Sequence, residues 1–161
     1  MDIPKGVTVS VDGLDISVKG PKGEVKKTFP KRTEVKVSGD KVEVLSKRSA
    51  LKGTAEALLK NMVGGVTSGY NRKLKLLYAH FPITIEVKGS DIAVKNFLGE
   101  KMPRKTVLVG STKVTAKGQN VEVSGPDKEA VGQTIANLKA AMRIRDKDGR
   151  IFQDGIFDID E

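Results

Sequence analysis

The sequence predicts an α+β protein made by internal duplication: two similar domains, each with antiparallel β-sheet strands packed on one α-helix. Three observations carry this. Residues 7–19 recur as 83–95, and Gly23-Glu24 answers to Gly99-Glu100. Residues 35–44 answer, in the same order, to 114–123. In each copy a single stretch with apolar residues at helical spacing follows. The repeat divides the 161 residues into units of 1–81 and 82–161, small for lone cores but feasible.

In the first copy Val7, Val9 and Val11 alternate with Thr8 and Ser10. Asp12-Gly13 supplies a turn, and Ile16 and Val18 resume the alternation, which is a hairpin signal. Val35, Val37, Gly39-Asp40, Val42 and Val44 give a second hairpin. Leu51, Ala55, Leu58, Leu59, Met62, Val63 and Val66 then share one helix face. Gly53 weakens the first turn of that helix, and Gly64-Gly65 predicts its end. The second copy repeats the plan with Ile83, Ile85, Val87, Ile92 and Val94, then Val107, Val109, Val114, Val121 and Val123. Its helix is striped by Val131, Ile135, Leu138 and Met142, with Asp127 as the expected N-cap. Each stripe is core, because a one-faced helix must bury that face. Aromatics make up 4% of the chain and Trp is absent, so Val, Ile and Leu must fill both cores.

The formal charge of +9 points to an anionic partner. Residues 1–80 carry 16 Lys/Arg and 8 Asp/Glu, whereas 81–161 carry 13 and 12. Most single lysines read as solubilising. From Lys101 to Lys117, however, five basic residues occur with no acid, which leaves a local positive field uncancelled. Acids collect in the tail instead, at Asp154, Asp158, Asp160 and Glu161.

Catalysis finds little support. With no Cys, disulfides and thiolate metal sites are excluded. The one His, His80, lies between the two copies, and no Gly-x-Ser-x-Gly elbow is present. No metal-ligand spacing occurs. Residues 64–69 lack the Gly-Lys-Ser/Thr ending of a phosphate loop and follow a helix rather than a strand. No enzyme, cofactor, metal or small-molecule substrate is expected. No apolar run approaches the roughly 20 residues of a membrane span, and no signal layout opens the chain. A soluble intracellular protein without a membrane partner is therefore expected.

Three segments are candidate binding sites. In residues 69–82, Arg72, Lys73 and Lys75 sit among aromatics. Cations with planar rings suit phosphates and unstacked bases, although an inter-domain strand with Tyr78 and Phe81 packed in the joint explains them equally well. Residues 96–105 occupy the place of the first copy's loop 20–27 and expect Lys101, Arg104 and Lys105 on a loop that reaches phosphates. Residues 143–157 leave the second helix with Arg143, Arg145, Lys147 and Arg150, where the first copy is uncharged around 64–69. This break in symmetry points to a function added to one copy. Pairing of Asp146 and Asp148 with Arg145 and Lys147 is the alternative, and exposed pairs are worth little.

At these segments the chain resembles the universal large-subunit ribosomal protein six family, in its archaeal and eukaryotic branch. The residues that carry the match are 61–70, 78–83, 96–101, 124–133 and 150–157. Each is short, but they run in the family's order over nearly the whole chain. The Pro-Tyr-Lys-Gly-Lys-Gly of the bacterial branch is absent, and the acidic ending after Phe157 departs from the family's usual endings.

The resemblance implies a structural role in the cytoplasmic large ribosomal subunit and no catalysis. It implies binding to large-subunit rRNA, chiefly through the second domain, near the stalk base, the sarcin–ricin region and the translational GTPase centre. Neighbouring large-subunit and stalk-base proteins are the other implied partners. Carried over by position, Arg143, Arg145, Lys147, Arg150, Lys101, Arg104 and Lys105 become phosphate contacts. Gly149 and Gly155 would admit RNA close to the backbone. The alternative is a free nucleic-acid-binding module or RNA chaperone outside the ribosome.

Overall fold

The computed structural model describes residues 3–38 and 41–159. The chain forms two compact units. The first runs to Tyr70 and takes in Pro126–Lys128; the second holds Asn71–Gly125 and the chain from Glu129 onward. The repeat register assigns 71–81 to the first copy. The units divide earlier because the strand that begins at Tyr70 is hydrogen-bonded into the second unit's sheet.

The first unit opens with the antiparallel meander β1 (Thr8–Asp12), β2 (Asp15–Gly20) and β3 (Gly23–Thr28). Val11 faces Ile16 across β1–β2, and Val18 faces Val25 across β2–β3. Period-two alternation sends Ile16, Val18 and Val25 inward, where all three are buried. β4 (Thr33–Ser38) and β5 (Lys41–Ser46) pair in register Val35↔Val44 and Val37↔Val42. The Gly39-Asp40 turn expected between them lies outside the described residues. Helix α1 (Ser49–Thr67) lays Ala55, Leu59, Met62, Val63 and Val66 on these strands, with Phe29 completing the core. Leu58 packs at the margin of that core. Burying a side chain such as Leu59 contributes about 1.5–3 kcal/mol.

Gly64-Gly65 does not end α1; the helix runs through it to Thr67. Gly65 is buried, and a Cβ there would stand 1.8 Å from the Pro126 carbonyl oxygen. Glycine is needed for close backbone approach, so packing outweighs its poor helix propensity. The stop comes at Ser68, whose N–H and Oγ both donate to the Gly64 carbonyl at 3.0 and 2.9 Å. Gly69, at φ +78°, then turns the chain into the next strand.

The second unit repeats the meander as β7 (Thr84–Lys88), β8 (Asp91–Lys95) and β9 (Arg104–Val107). Its second sheet is larger. β10 (Lys113–Lys117) and β11 (Asn120–Gly125) are joined by β6 (Tyr70–Leu77) and β12 (Gly155–Asp158), in the order β10-β11-β6-β12. Val121, Val123, Leu74, Leu76 and Ile156 form its buried face. Helix α2 (Lys128–Ala141) buries Val131, Ile135 and Leu138, followed by Met142. Asp127 stands immediately before α2 and pairs with Lys27 Nζ at 3.0 Å. Buried Thr134 is satisfied: its Oγ1 donates to the Ala130 carbonyl at 2.8 Å and accepts the Val109 N–H at 3.1 Å. No described helix is long and apolar enough to cross a membrane.

Candidate nucleic-acid interface

The loop expected to carry Lys101, Arg104 and Lys105 is shorter than the sequence suggests. A 3₁₀ turn covers Phe97–Gly99, and Arg104 and Lys105 already belong to β9. The turn is built from left-handed residues, Asn96 (φ 59°), Leu98 (φ 52°) and Gly99 (φ 75°). A non-glycine residue in that region costs on the order of 1 kcal/mol. Asn96 Nδ2 holds the turn through the Pro82 carbonyl at 3.1 Å. Phe81 packs over Gly99, its ring 3.2 Å from where a Cβ would stand. Lys101 and Lys105 are exposed.

Strand alternation turns Arg104 inward, and its donors are spent inside the protein. Nε donates to Glu100 Oε2 at 2.8 Å, and Nη2 donates to Glu100 Oε1. Nη1 donates to the carbonyls of Ala141 and Arg143, both at 3.0 Å. The guanidinium also lies 4.4 Å over the Phe97 ring. Arg104 is therefore a positioning residue rather than the phosphate contact expected from the sequence. It satisfies carbonyls left open at the C-terminal end of α2 and puts a cation at the negative end of the helix dipole. Hydrogen bonding from Arg104 holds the Glu100 carboxyl below its ordinary range, against an opposing push from partial burial. The same bond raises the Arg104 guanidinium.

Beyond that clamp the chain enters residues 142–154. Arg143, Arg145, Lys147 and Arg150 are all exposed. None of them forms an ion pair with a described residue. The pairing of Asp146 and Asp148 with Arg145 and Lys147 therefore does not occur. Asp148 instead shapes the turn: its Oδ1 accepts the Arg150 N–H at 2.9 Å, and its carbonyl accepts the N–H groups of Ile151 and Phe152. Lys147 Nζ lies 4.8 Å from the centre of the Phe152 ring. Gly149 is exposed, with no atom beyond its two chain neighbours within 4 Å of where a Cβ would be, so its backbone is open to a ligand.

Gly155 differs. It is buried at the start of β12, opposite Leu77, and the Phe157 ring lies 3.4 Å from its Cβ position. It makes room for that ring rather than for RNA. Buried Asp154 accepts the Ala79 N–H at 3.2 Å and ties the end of the basic segment to the residues after β6. Lys139 on α2 pairs with Asp158 on β12 at 2.6 Å. Part of the acidic tail is thus structural. A groove of about 810 Å³ is lined by Lys139, Met142, Gly149, Phe152 and Phe157 among others.

Arg72, Lys73 and Lys75 do not form one cluster. Lys73 and Lys75 share the outward face of β6, whereas Arg72 has the parity of buried Leu74 and Leu76. The signal that separates them is period two, which a count of basic residues ignores. No cluster of potential metal ligands occurs among the described residues.

Comparison with known proteins gives one family. The profile described as Ribosomal protein L6 matches residues 3–69 and again 81–155. The interval between the two matches contains β6. Large ribosomal subunit protein uL6 of Methanothrix thermoacetophila is 42% identical over 163 residues, 98% of this chain and 93% of the relative. The uL6 of Methanocella arvoryzae is 43% identical over 164 residues, with coverage of 98% and 93%. That of Saccharolobus solfataricus is 40% identical over 164 residues, with coverage of 98% and 91%.

Proposed function

This chain belongs to the ribosomal protein L6 family, and from that premise we propose that it binds large-subunit rRNA through its second unit, near the stalk base and the translational GTPase centre. It is a structural ribosomal protein of the large subunit and not an enzyme. The observation that carries the RNA reading is the span 142–154. It presents Arg143, Arg145, Lys147 and Arg150 unpaired while its two ends are fixed by Arg104 and Asp154. Lys101 and Lys105 add exposed charge in the same unit. Recognition works by shape and phosphate contact, since no base-reading pocket is needed for a fixed RNA partner. The cytoplasmic large subunit is the site of action.

The test is binding of the full-length chain to a large-subunit rRNA fragment across a salt series. Reversal of charge at Arg143, Arg145 and Arg150 to Glu should weaken binding and flatten the log–log salt slope by roughly 0.7–0.9 per lost phosphate contact. An unchanged slope would remove this segment from the interface.

A further inference from the structure

The four-stranded sheet turns one face to α2 and the other to solvent. Val121, Val123, Leu74, Leu76 and Ile156 occupy the inner face. The outward face therefore takes the residues of opposite parity. These are Lys113, Thr115 and Lys117 on β10, Glu122 on β11, Lys73, Lys75 and Leu77 on β6, and Phe157 on β12. Glu122 is the one carboxylate among them, and its Oε1 already accepts from Asn71 Nδ2 at 2.7 Å. Leu77 is 41% exposed and Phe157 46%, and Phe157 is in register with Lys75. The Phe157 ring is laid over Gly155 on its own strand, which supports one side of the ring.

The first copy lacks this character. Where β10 has Lys113 and Lys117, the repeat register puts Glu34 and Ser38 on β4. Lys36 there stands opposite Glu43, so the charges alternate in sign. Across the two paired strands the first copy sets Lys36 and Lys41 against Glu34 and Glu43, whereas the second sets Lys113 and Lys117 against Glu122 alone.

The geometry points to the outward face of this sheet as a second RNA surface. It takes single-stranded RNA, stacking an unpaired base on Phe157 and holding phosphates with Lys75, Lys113 and Lys117. This rests on the RNA-binding reading above and extends it from shape recognition of folded RNA to capture of an unpaired stretch. Strands spaced about 4.8 Å apart put β10 roughly 14 Å from β12, a width over which four-stranded sheets elsewhere seat two or three bases. Cations flanking an exposed ring are the chemistry that single strands require. Phe157 also lines the groove beside residues 149–153, so the face is continuous with the basic segment.

The chain has no Trp, so Phe157→Trp introduces a single indole reporter. In the full-length protein, a single-stranded 12-mer RNA should quench that fluorescence. Phe157→Leu, which keeps apolar bulk without a ring, should weaken binding of the same RNA about 5- to 150-fold. Lys113→Glu with Lys117→Glu, both at exposed sites, should weaken it independently of any packing change. Charge reversal at Arg143, Arg145 and Arg150 should spare most of this binding while impairing the rRNA fragment. No quenching at saturating RNA, or equal quenching by poly-glutamate, overturns the proposal. If the rRNA fragment binds and responds only to the 143–150 changes, the second surface is wrong and the first stands. If no RNA binds at all, both fail.

Discussion

In the first copy, α1 passes to β6 through Ser68 and Gly69 alone; in the second, α2 stops at Ala141 and the chain travels residues 142–154 before β12 begins. The two helices also close by different physics. α1 closes by backbone contact, with a carbonyl of Pro126 pressed against Gly65 and Ser68 capping Gly64. α2 closes by a side chain, the Arg104 fork on the carbonyls of Ala141 and Arg143. A backbone closure leaves no slack for insertion. A side-chain closure lets the chain continue outward, and that is where the unpaired cations are.

The largest expected effect breaks the first closure. Gly65→Val forces a Cβ into the Pro126 carbonyl and should destabilise the first unit by about 3 kcal/mol. Calorimetry or amide exchange along α1 would read it. Gly53→Ala is the control in the same helix. A Cβ there meets nothing within 4 Å, so the change should stabilise by about 0.5–1 kcal/mol. Similar small effects at both positions would mean that Gly65 is not closely packed.

The second closure should yield next. Arg104→Met removes charge-assisted bonds to Glu100 and two carbonyl contacts, a loss of about 2–3 kcal/mol from the second unit. Arg104→Lys should recover little of it, because an ammonium lacks the planar fork. Amide exchange in residues 141–145 should accelerate, and rRNA affinity should fall because the basic segment loses one of its anchors. Unchanged exchange would sink the clamp.

The smallest effect is a titration. The Glu100 carboxyl sits below its ordinary range because Arg104 donates to it. A depressed folded pKa means that its stabilisation is complete above the usual glutamate range and disappears as pH falls through the lower folded value. Exchange in 141–145 should therefore quicken only at a pH below that at which a free glutamate titrates. Its counterpart Glu24 is also held low, first by Ser17 and then by Lys26, but those partners lie on strands β2 and β3. Protonating it should move no helix end. A carboxyl NMR titration of both residues checks the contrast.

The hairpins and helix stripes were legible because they are local. Valines two apart around Asp12-Gly13, and leucines on one helical face, state their own geometry. Gly64-Gly65 misleads because the reason for its glycines lies sixty residues away, at Pro126. Arg104 misleads for a narrower reason. An acid-free window from Lys101 to Lys117 omits Glu100, one residue before it, which is the partner that removes Arg104 from the exposed set. β12 is too short to show period two on its own and gains its face only from β6. The basic segment 143–150 was legible as a break in the repeat. Its fixed ends were not, since both depend on hydrogen bonds from outside the segment.

The two anchors of residues 142–154 have an entropic consequence. A free basic tail would lose about 1–2 kcal/mol of backbone conformational freedom for every residue ordered on RNA. Here one end is held by Arg104 and the other by Asp154 and the β12–β6 ladder. Part of the ordering is therefore completed when the protein folds, before any RNA arrives. Less of the phosphate attraction is then consumed in organising the chain, and more appears as affinity.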